Sequence, residues 1–402
     1  MHNQNGTPRR VAIIGAGIIS PLGLGLAETL RSLREARDCV TQVTAFSVEK
    51  TRCKTAGQID DERLLSKRTV RRGDRRLHRA SHMVINALDE LLTAAGKFEP
   101  DIAIVGTTSG GMTFGEQFYR SLANGRTRAA AGWIANYPPQ KQIVDALERF
   151  GIDAPTQVIA NACASGTNAI GQAFAGIRAG HYQRVLTGGY DALSELVFAG
   201  FDSLQASTPE KCRPFDANRS GMVLGEGAAL LALEDLESAR SRGAKILGEV
   251  VAYGLSTDNH HLTQPNPDGS GPRRAMEQAL AVAELPQEGV GYINAHGTAT
   301  VFNDAAEGKA IGEMFPTVPV SSTKSMMGHS LGAAGAIEAV ISLLALQHQF
   351  LPPNINFRKI DPALSLKVVA NESQPAKFQY VLSNSFGFGG TNASIVLYAA
   401  RE

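Results

Sequence analysis

Charge is scarce in this 402-residue chain. Only 19% of its residues are Asp, Glu, Lys or Arg, and 39 basic residues stand against 38 acidic ones. The balance removes the basic excess of a general nucleic-acid binder. With 43% hydrophobic residues, it also removes the low-hydrophobicity, high-charge composition of a disordered chain. Cysteine is equally sparse. Cys39, Cys53, Cys163 and Cys212 form no C-x-x-C pair and no regular spacing, which argues against a disulfide framework or a zinc ribbon. No uninterrupted apolar run approaches the roughly 18 residues of a membrane span. The opening MHNQNGTPRR carries no apolar segment of the kind a signal peptide needs. The expectation is a soluble, cytosolic enzyme, long enough to bury its own core as two domains or one duplicated one.

What is present is a repeated strand signal. VAIIGAG (11–17), DIAIVGTTSGG (101–111), VLTGGYD (185–191) and VGYINAHGT (290–298) are short, Val/Ile-rich and closed by glycine, the pattern of buried strands. Between Leu77 and Ala95 the positions Leu77, Ala80, Met83, Val84, Ala87, Leu88, Leu91 and Leu92 keep helical spacing. Alternation of the two predicts an α/β fold. The halves also resemble each other in order. RVAIIGAG matches ILGEVVAYG, DIAIVGTT matches VGYINAHGT, and VLGEGAALLALED matches GFGGTNASIVLYA with Gly225 on Gly389. NACASGTNAIGQAFAGIRAG matches GHSLGAAGAIEAVISLLALQ with Cys163 over His329 and Gly166 over Gly332. This reads as a duplicated α/β unit whose halves, 1–244 and 245–402, meet near residue 245.

Three segments compete for the chemistry. GAGIIS (15–20) has Ser20 where a dinucleotide fingerprint needs its third glycine, and reads as a strand-to-loop turn. Gly328-His329-Ser330-Leu331-Gly332 is a formal G-x-S-x-G elbow, but His348 and Asp361 follow in the wrong order for a hydrolase. Cys163, in NACASGTNAI, opens a helix among small residues. That setting predicts an accessible thiol whose pKa is lowered by the helix N-terminus. His296, in NAHGTAT, ends a strand, and His329 opens the helix that the duplication sets against Cys163. Two related helix starts would aim a cysteine and a histidine at one interface.

Those residues carry a family likeness. From VAIIGAGIISPLG through NACASG, RPFDANRSGMVLGEGA, NAHGTAT, STKSMMGHSLGAAGAIEAV and NSFGFGGTNASIVL, the chain resembles the β-ketoacyl-acyl-carrier-protein synthases, condensing enzymes of fatty-acid and polyketide synthesis. The resemblance implies a thiolase-like, duplicated fold of five layers, α-β-α-β-α. It implies decarboxylative condensation of an acyl group, held on Cys163, with malonyl carrier protein. His296 and His329 would promote decarboxylation, with Lys324 beside them and Glu338 supporting. Backbone N–H groups of Cys163 and Phe386 would form the oxyanion hole. Thr298 and Thr300 would line the substrate channel, and Phe386 and Phe388 its gate. Gly115 would border the acyl tunnel, walled by Trp133 and Tyr137 from a dimer partner. No metal and no cofactor is implied beyond the carrier's phosphopantetheine. The other readings are a non-catalytic chain-length-factor-like subunit and, from GHSLG alone, a serine hydrolase.

Residues 67–79, KRTVRRGDRRLHR, hold seven Lys/Arg and one Asp without interleaved aromatics, which speaks against single-stranded nucleic acid. By resemblance, Arg68, Arg71 and Arg72 would dock the acidic acyl carrier protein. The enzyme would work as a homodimer, or as a heterodimer with a second ketosynthase-like subunit, with no nucleic-acid or membrane partner.

Overall fold

The computed structural model describes residues 8–65 and 77–400. Ten strands of its main sheet carry the architecture. β1 (Val11–Ser20), β2 (Ile102–Gly106), β3 (Thr156–Ile159), β4 (Arg184–Asp191) and β5 (Gly227–Asp235) lie in the first half. β6 (Gly248–Thr257), β7 (Tyr292–Asn294), β8 (Pro319–Ser321), β9 (Tyr380–Gly387) and β10 (Thr391–Ala399) lie in the second. The spatial order is β8-β7-β9-β10-β6-β1-β5-β4-β2-β3, so both halves have one internal order and join where β6 pairs with β1. Register repeats too. Val11 stands opposite Asp235 and Gly248 opposite Ala399, and a β-bulge interrupts each ladder at corresponding places, Ile14 and Val251.

Helices complete the layers. α1 (Arg79–Ala95), α2 (Met112–Ala123), α3 (Thr127–Ile134), α4 (Lys141–Phe150), α5 (Ser165–Arg178) and α6 (Glu195–Ser203) belong to the first half. α7 (Ser270–Ala283), α8 (Val301–Met314), the short α9 (Lys324–Met327) and α10 (Ala334–His348) belong to the second. α1 and α4 cover one outer face, α7 and α8 the other, and α5 and α10 fill the space between the two half-sheets. These are the five layers. Strands buried on both faces must be apolar on both: Val11, Ile13, Ala16 and Ile18 of β1 face the central layer, while Ala12, Ile14 and Ile19 face α1. The segment Leu331–His348 is long and apolar enough to cross a membrane, and here it is buried as the central helix.

Two sequence expectations change. GAGIIS is no turn, because β1 runs unbroken to Ser20. Its Gly17 seats α1, since a methyl there would stand 1.9 Å from the carbonyl oxygen of Ala87. Its counterpart Gly254 seats α7 in the same way, 2.0 Å from the Ala275 oxygen. The second correction concerns the central helices. Each is entered by a single 3-10 turn that opens on a left-handed residue, Ala162 (φ 57°) before α5 and Leu331 (φ 52°) before α10. Cys163 therefore corresponds to Gly332, not His329. His329 lies three residues earlier, on the segment leading into its turn.

Candidate active site

The chain leaves β3 and turns sharply at Ala162. The Ser165 hydroxyl accepts from Asn161 N–H (3.0 Å) and donates to the Ala162 carbonyl (2.6 Å), which the Thr108 hydroxyl also reaches (3.1 Å). The turn so pinned holds Cys163 at the floor of a cleft of about 200 Å3, with its residue only 6% exposed. His296, just past β7, is fixed through its backbone: its N–H and that of Gly297 donate to the two oxygens of Glu307 at 2.8 and 2.7 Å. His329 is held likewise, donating to Val223 C=O (2.7 Å) and accepting from Gly225 N–H (2.8 Å). These three supports bring Cys163 Sγ and a ring nitrogen of each histidine within 4.8 Å of one another. The imidazoles meet edge to face, centroids 5.2 Å apart. Lys324, fully buried at the start of α9, places Nζ 3.4 Å from His296 Nδ1 and pairs with Glu338 of α10.

Burial dominates the electrostatics. It holds both imidazoles well below their usual range, with the Lys324 charge adding to the effect, so both are neutral at pH 7. It lifts Glu338 to about 7 against the opposing pull of Lys324. The expected thiolate is overturned. Desolvation pushes the Cys163 thiol up to about 12, and Lys324 and two backbone N–H groups only moderate it. Those N–H groups belong to Cys163 and Phe388. The second donor beside the sulphur is thus Phe388 N–H, while Phe386 stands within β9 opposite Asn392. Among the described residues neither ring nitrogen of His329 has a hydrogen-bond partner, leaving both free for a substrate. A metal could in principle be ligated by the Cys163, His296 and His329 atoms, but the Lys324 ammonium beside His296 opposes a divalent cation. Behind them Asn294 Oδ1, Glu338 Oε2 and Ser383 Oγ are buried without partners among the described residues.

The hydrolase reading has no support in this geometry. Ser330 Oγ makes no hydrogen bond among the described residues, Asp361 is engaged by Arg219, and His348 closes the far end of α10.

Residues 8–239 match the family described as "Beta-ketoacyl synthase, N-terminal domain", and residues 247–358 match its C-terminal domain. The chain is a β-ketoacyl synthase. It is 36% identical to a 3-oxoacyl-[acyl-carrier-protein] synthase 2 of Synechocystis sp., over 96% of this chain and 97% of that one. Among solved structures it resembles the ishigamide ketosynthase/chain length factor, with a TM-score of 0.91, 34% identity, and coverage of 98% and 100%. It also resembles the AntDE:AntF complex, a type II polyketide acyl-carrier protein with its ketosynthase, with a TM-score of 0.89, 26% identity, and coverage of 98% and 100%. This β-ketoacyl synthase is thus an acyltransferase-type condensing enzyme of fatty-acid or polyketide synthesis.

The remaining site residues divide. Thr298, Thr300, Phe386 and Phe388 line the synthase's cleft, with the two threonine hydroxyls 2.8 Å apart. Gly115 and Tyr137 do not. They line a separate cavity of about 600 Å3 between α2, α3 and α6, while Trp133 packs on Phe114. Tyr137 reaches Gly115 within one chain. Arg68, Arg71 and Arg72 lie outside the described residues. Sequence reasoning missed Glu307, which with Asp304 forms a buried acidic pair three residues apart on α8. It also missed Asp191, a buried carboxylate at the end of β4.

Proposed function

We propose that Cys163 accepts the acyl group from one carrier-protein thioester and passes it to a malonyl carrier protein, His296 and His329 serving the second step. The convergence of sulphur and two neutral imidazoles beside paired N–H groups carries this reading. In the first step the thiol proton passes to an imidazole as sulphur attacks the thioester carbonyl. The carbonyl oxygen, now anionic, accepts from Cys163 and Phe388 N–H, and the departing pantetheine sulphur takes the proton. In the second step the malonyl group loses carbon dioxide, and its enolate oxygen accepts N–H donation from His296 and His329. The enolate carbon then attacks the acyl-cysteine, and the cysteine sulphur leaves. Lys324 donates towards His296 Nδ1, which fixes the proton on Nε2, the tautomer that can donate. A neutral imidazole does this without the cost of burying another cation.

Carrier-protein docking on the basic run around Arg68, Arg71 and Arg72, and a dimer, either homodimeric or with a second ketosynthase-like subunit, belong to the same proposal. The carrier-protein and chain-length-factor partners named for the two solved relatives support it. Intact-mass measurement after incubation with acyl carrier protein tests the central step. An acyl adduct on wild type and none on Cys163→Ser is expected; an adduct that persists in the variant would overturn it.

A further inference from the structure

Register assigns counterparts at the ends of β4 and β9. Arg184 stands opposite Glu234 and Asp191 opposite Gly227; in the other half Tyr380 stands opposite Tyr398 and Gly387 opposite Thr391. Asp191 and Gly387 are thus the same place in the duplicated unit, each the last residue of its strand. The turns they face correspond as well, Cys163 in one to Gly332 in the other. At this place the two halves differ. Asp191 Oδ2 accepts from Gly332 N–H at 2.7 Å, whereas a side chain begun at Gly387 would place its Cβ 3.2 Å from Cys163 N. Gly387 has none, and both Gly387 and Cys163 open onto the cleft.

We propose that Asp191 is the internal anion of a second N–H pocket, and that the catalytic pocket is its uncovered twin, left open to a substrate oxygen because Gly387 stands where Asp191 stands in the other half. Asp191 is then a positioning residue. Its oxygens also accept from Thr107 Oγ1 (2.8 Å), Thr108 N–H (2.9 Å) and Ser109 N–H (2.7 Å). Thr108 in turn donates to the carbonyl of Ala162, next to the nucleophile. One carboxylate so ties the turn before α10 to the turn that carries Cys163. A buried carboxylate needs several donors to offset its desolvation, and N–H groups at the start of a helix suit an anion. The same preference that holds Asp191 on Gly332 would draw a carboxylate, or a developing oxyanion, onto Cys163.

The proposal rests on Cys163 being the acyl acceptor, and its test separates the two. Acylation rates are read by intact mass for wild type, Gly387→Ala, Gly387→Asp and Asp191→Gly. Gly387→Asp should acylate at least about 100-fold more slowly than wild type, because its own carboxylate takes the oxyanion donor. Gly387→Ala, which adds bulk without an acceptor, should fall by less than about tenfold. Melting at pH 8 should place Gly387→Asp above Gly387→Asn, since only the anion is drawn to the pocket. Asp191→Gly should be slow, and saturating formate, but not formamide, should restore it at least about tenfold. Equal rates for Gly387→Asp and Gly387→Ala, or a folded Asp191→Gly that formate leaves slow, would overturn the proposal. If Asp191→Gly does not accumulate as folded protein, the Gly387 variants decide alone. A wild type that takes no acyl group on Cys163 would instead count against the reading of the nucleophile.

Discussion

Gly166 of α5 and Gly335 of α10 are counterparts that face each other across the centre of the molecule. A methyl on Gly166 would stand 2.9 Å from the Ala336 nitrogen, and one on Gly335 would stand 2.8 Å from the Thr167 nitrogen. The close approach of the two helices is what brings the nucleophile's turn and the His329 segment to one cleft. Gly166→Ala or Gly335→Ala should each destabilise by about 1–3 kcal/mol, because the new methyl meets the facing backbone in both cases and, on Gly335, the buried Thr167 hydroxyl at 2.0 Å as well. Chemical denaturation measures it. An unchanged midpoint would mean that the helices can part without cost.

The same glycines show how far the sequence could be read. Aligning Gly17 with Gly254, and Gly225 with Gly389, gives the registers that the ladders have, because the first pair seats a helix on strands of equal length and the second pair flanks strands of equal length. The central helices misled. Gly332 and Gly335 are three residues apart, close to one helical turn, so sliding the match by three keeps glycine on glycine and preserves the buried face. Cys163 was legible as a helix-start cysteine, but its solvation was not, since burial depends on residues brought from both halves. Phe388 was legible as part of the gate, but its N–H beside the sulphur was not, because residue type does not reveal which backbone N–H points inward.

Because burial pushes Cys163 up to about 12, the resting enzyme carries a thiol. Alkylation of Cys163 by iodoacetamide should therefore rise about tenfold per pH unit from pH 7 to 9 without levelling, as the thiolate fraction does far below its pKa. Peptide mass mapping isolates this cysteine from the other three. A plateau near pH 7 would show a thiolate already formed.

His296 and His329 are held neutral by burial, with Lys324 adding to it. Unfolded histidine titrates near about 6.5, so below that pH the unfolded chain binds protons that the folded one refuses. Stability should fall with acidification by up to about 1.4 kcal/mol per pH unit for each histidine. Replacing both with asparagine should flatten the decline between pH 6.5 and 5, read from denaturation midpoints. Replacing either one alone should slow carbon dioxide release more than acyl loading, since both donate to the enolate oxygen whereas the remaining imidazole can still take the thiol proton. Equal loss in both assays would reassign them.

Glu307 accepts the N–H groups of His296 and Gly297, so it sets where the first imidazole sits. Burial lifts its carboxyl to about 7. Glu307→Gln keeps the shape but has one acceptor oxygen for two donors, and should cost about 1–3 kcal/mol of stability. Acyl loading of Cys163 should change less than condensation. A variant as stable as wild type would mean that the two N–H groups find other acceptors.

Gly115 decides what the second cavity is for. A Cβ there would meet the Tyr137 ring at 2.7 Å, but the ring is the far end of a side chain 37% exposed, so it can swing aside. Gly115→Ile should then fold, with its added atoms occupying part of the space bounded by Tyr137, Ile134 and Leu196. If long acyl chains extend from Cys163 into that space, the substitution should lower turnover of long primers by about tenfold or more and spare acetyl primers. The reason is differential: only a chain long enough to reach α2 meets the new side chain. A primer-length series on wild type and variant is the measurement. Superimposed profiles, with folding intact, would make this cavity a packing feature of α2, α3 and α6 that the acyl chain never enters.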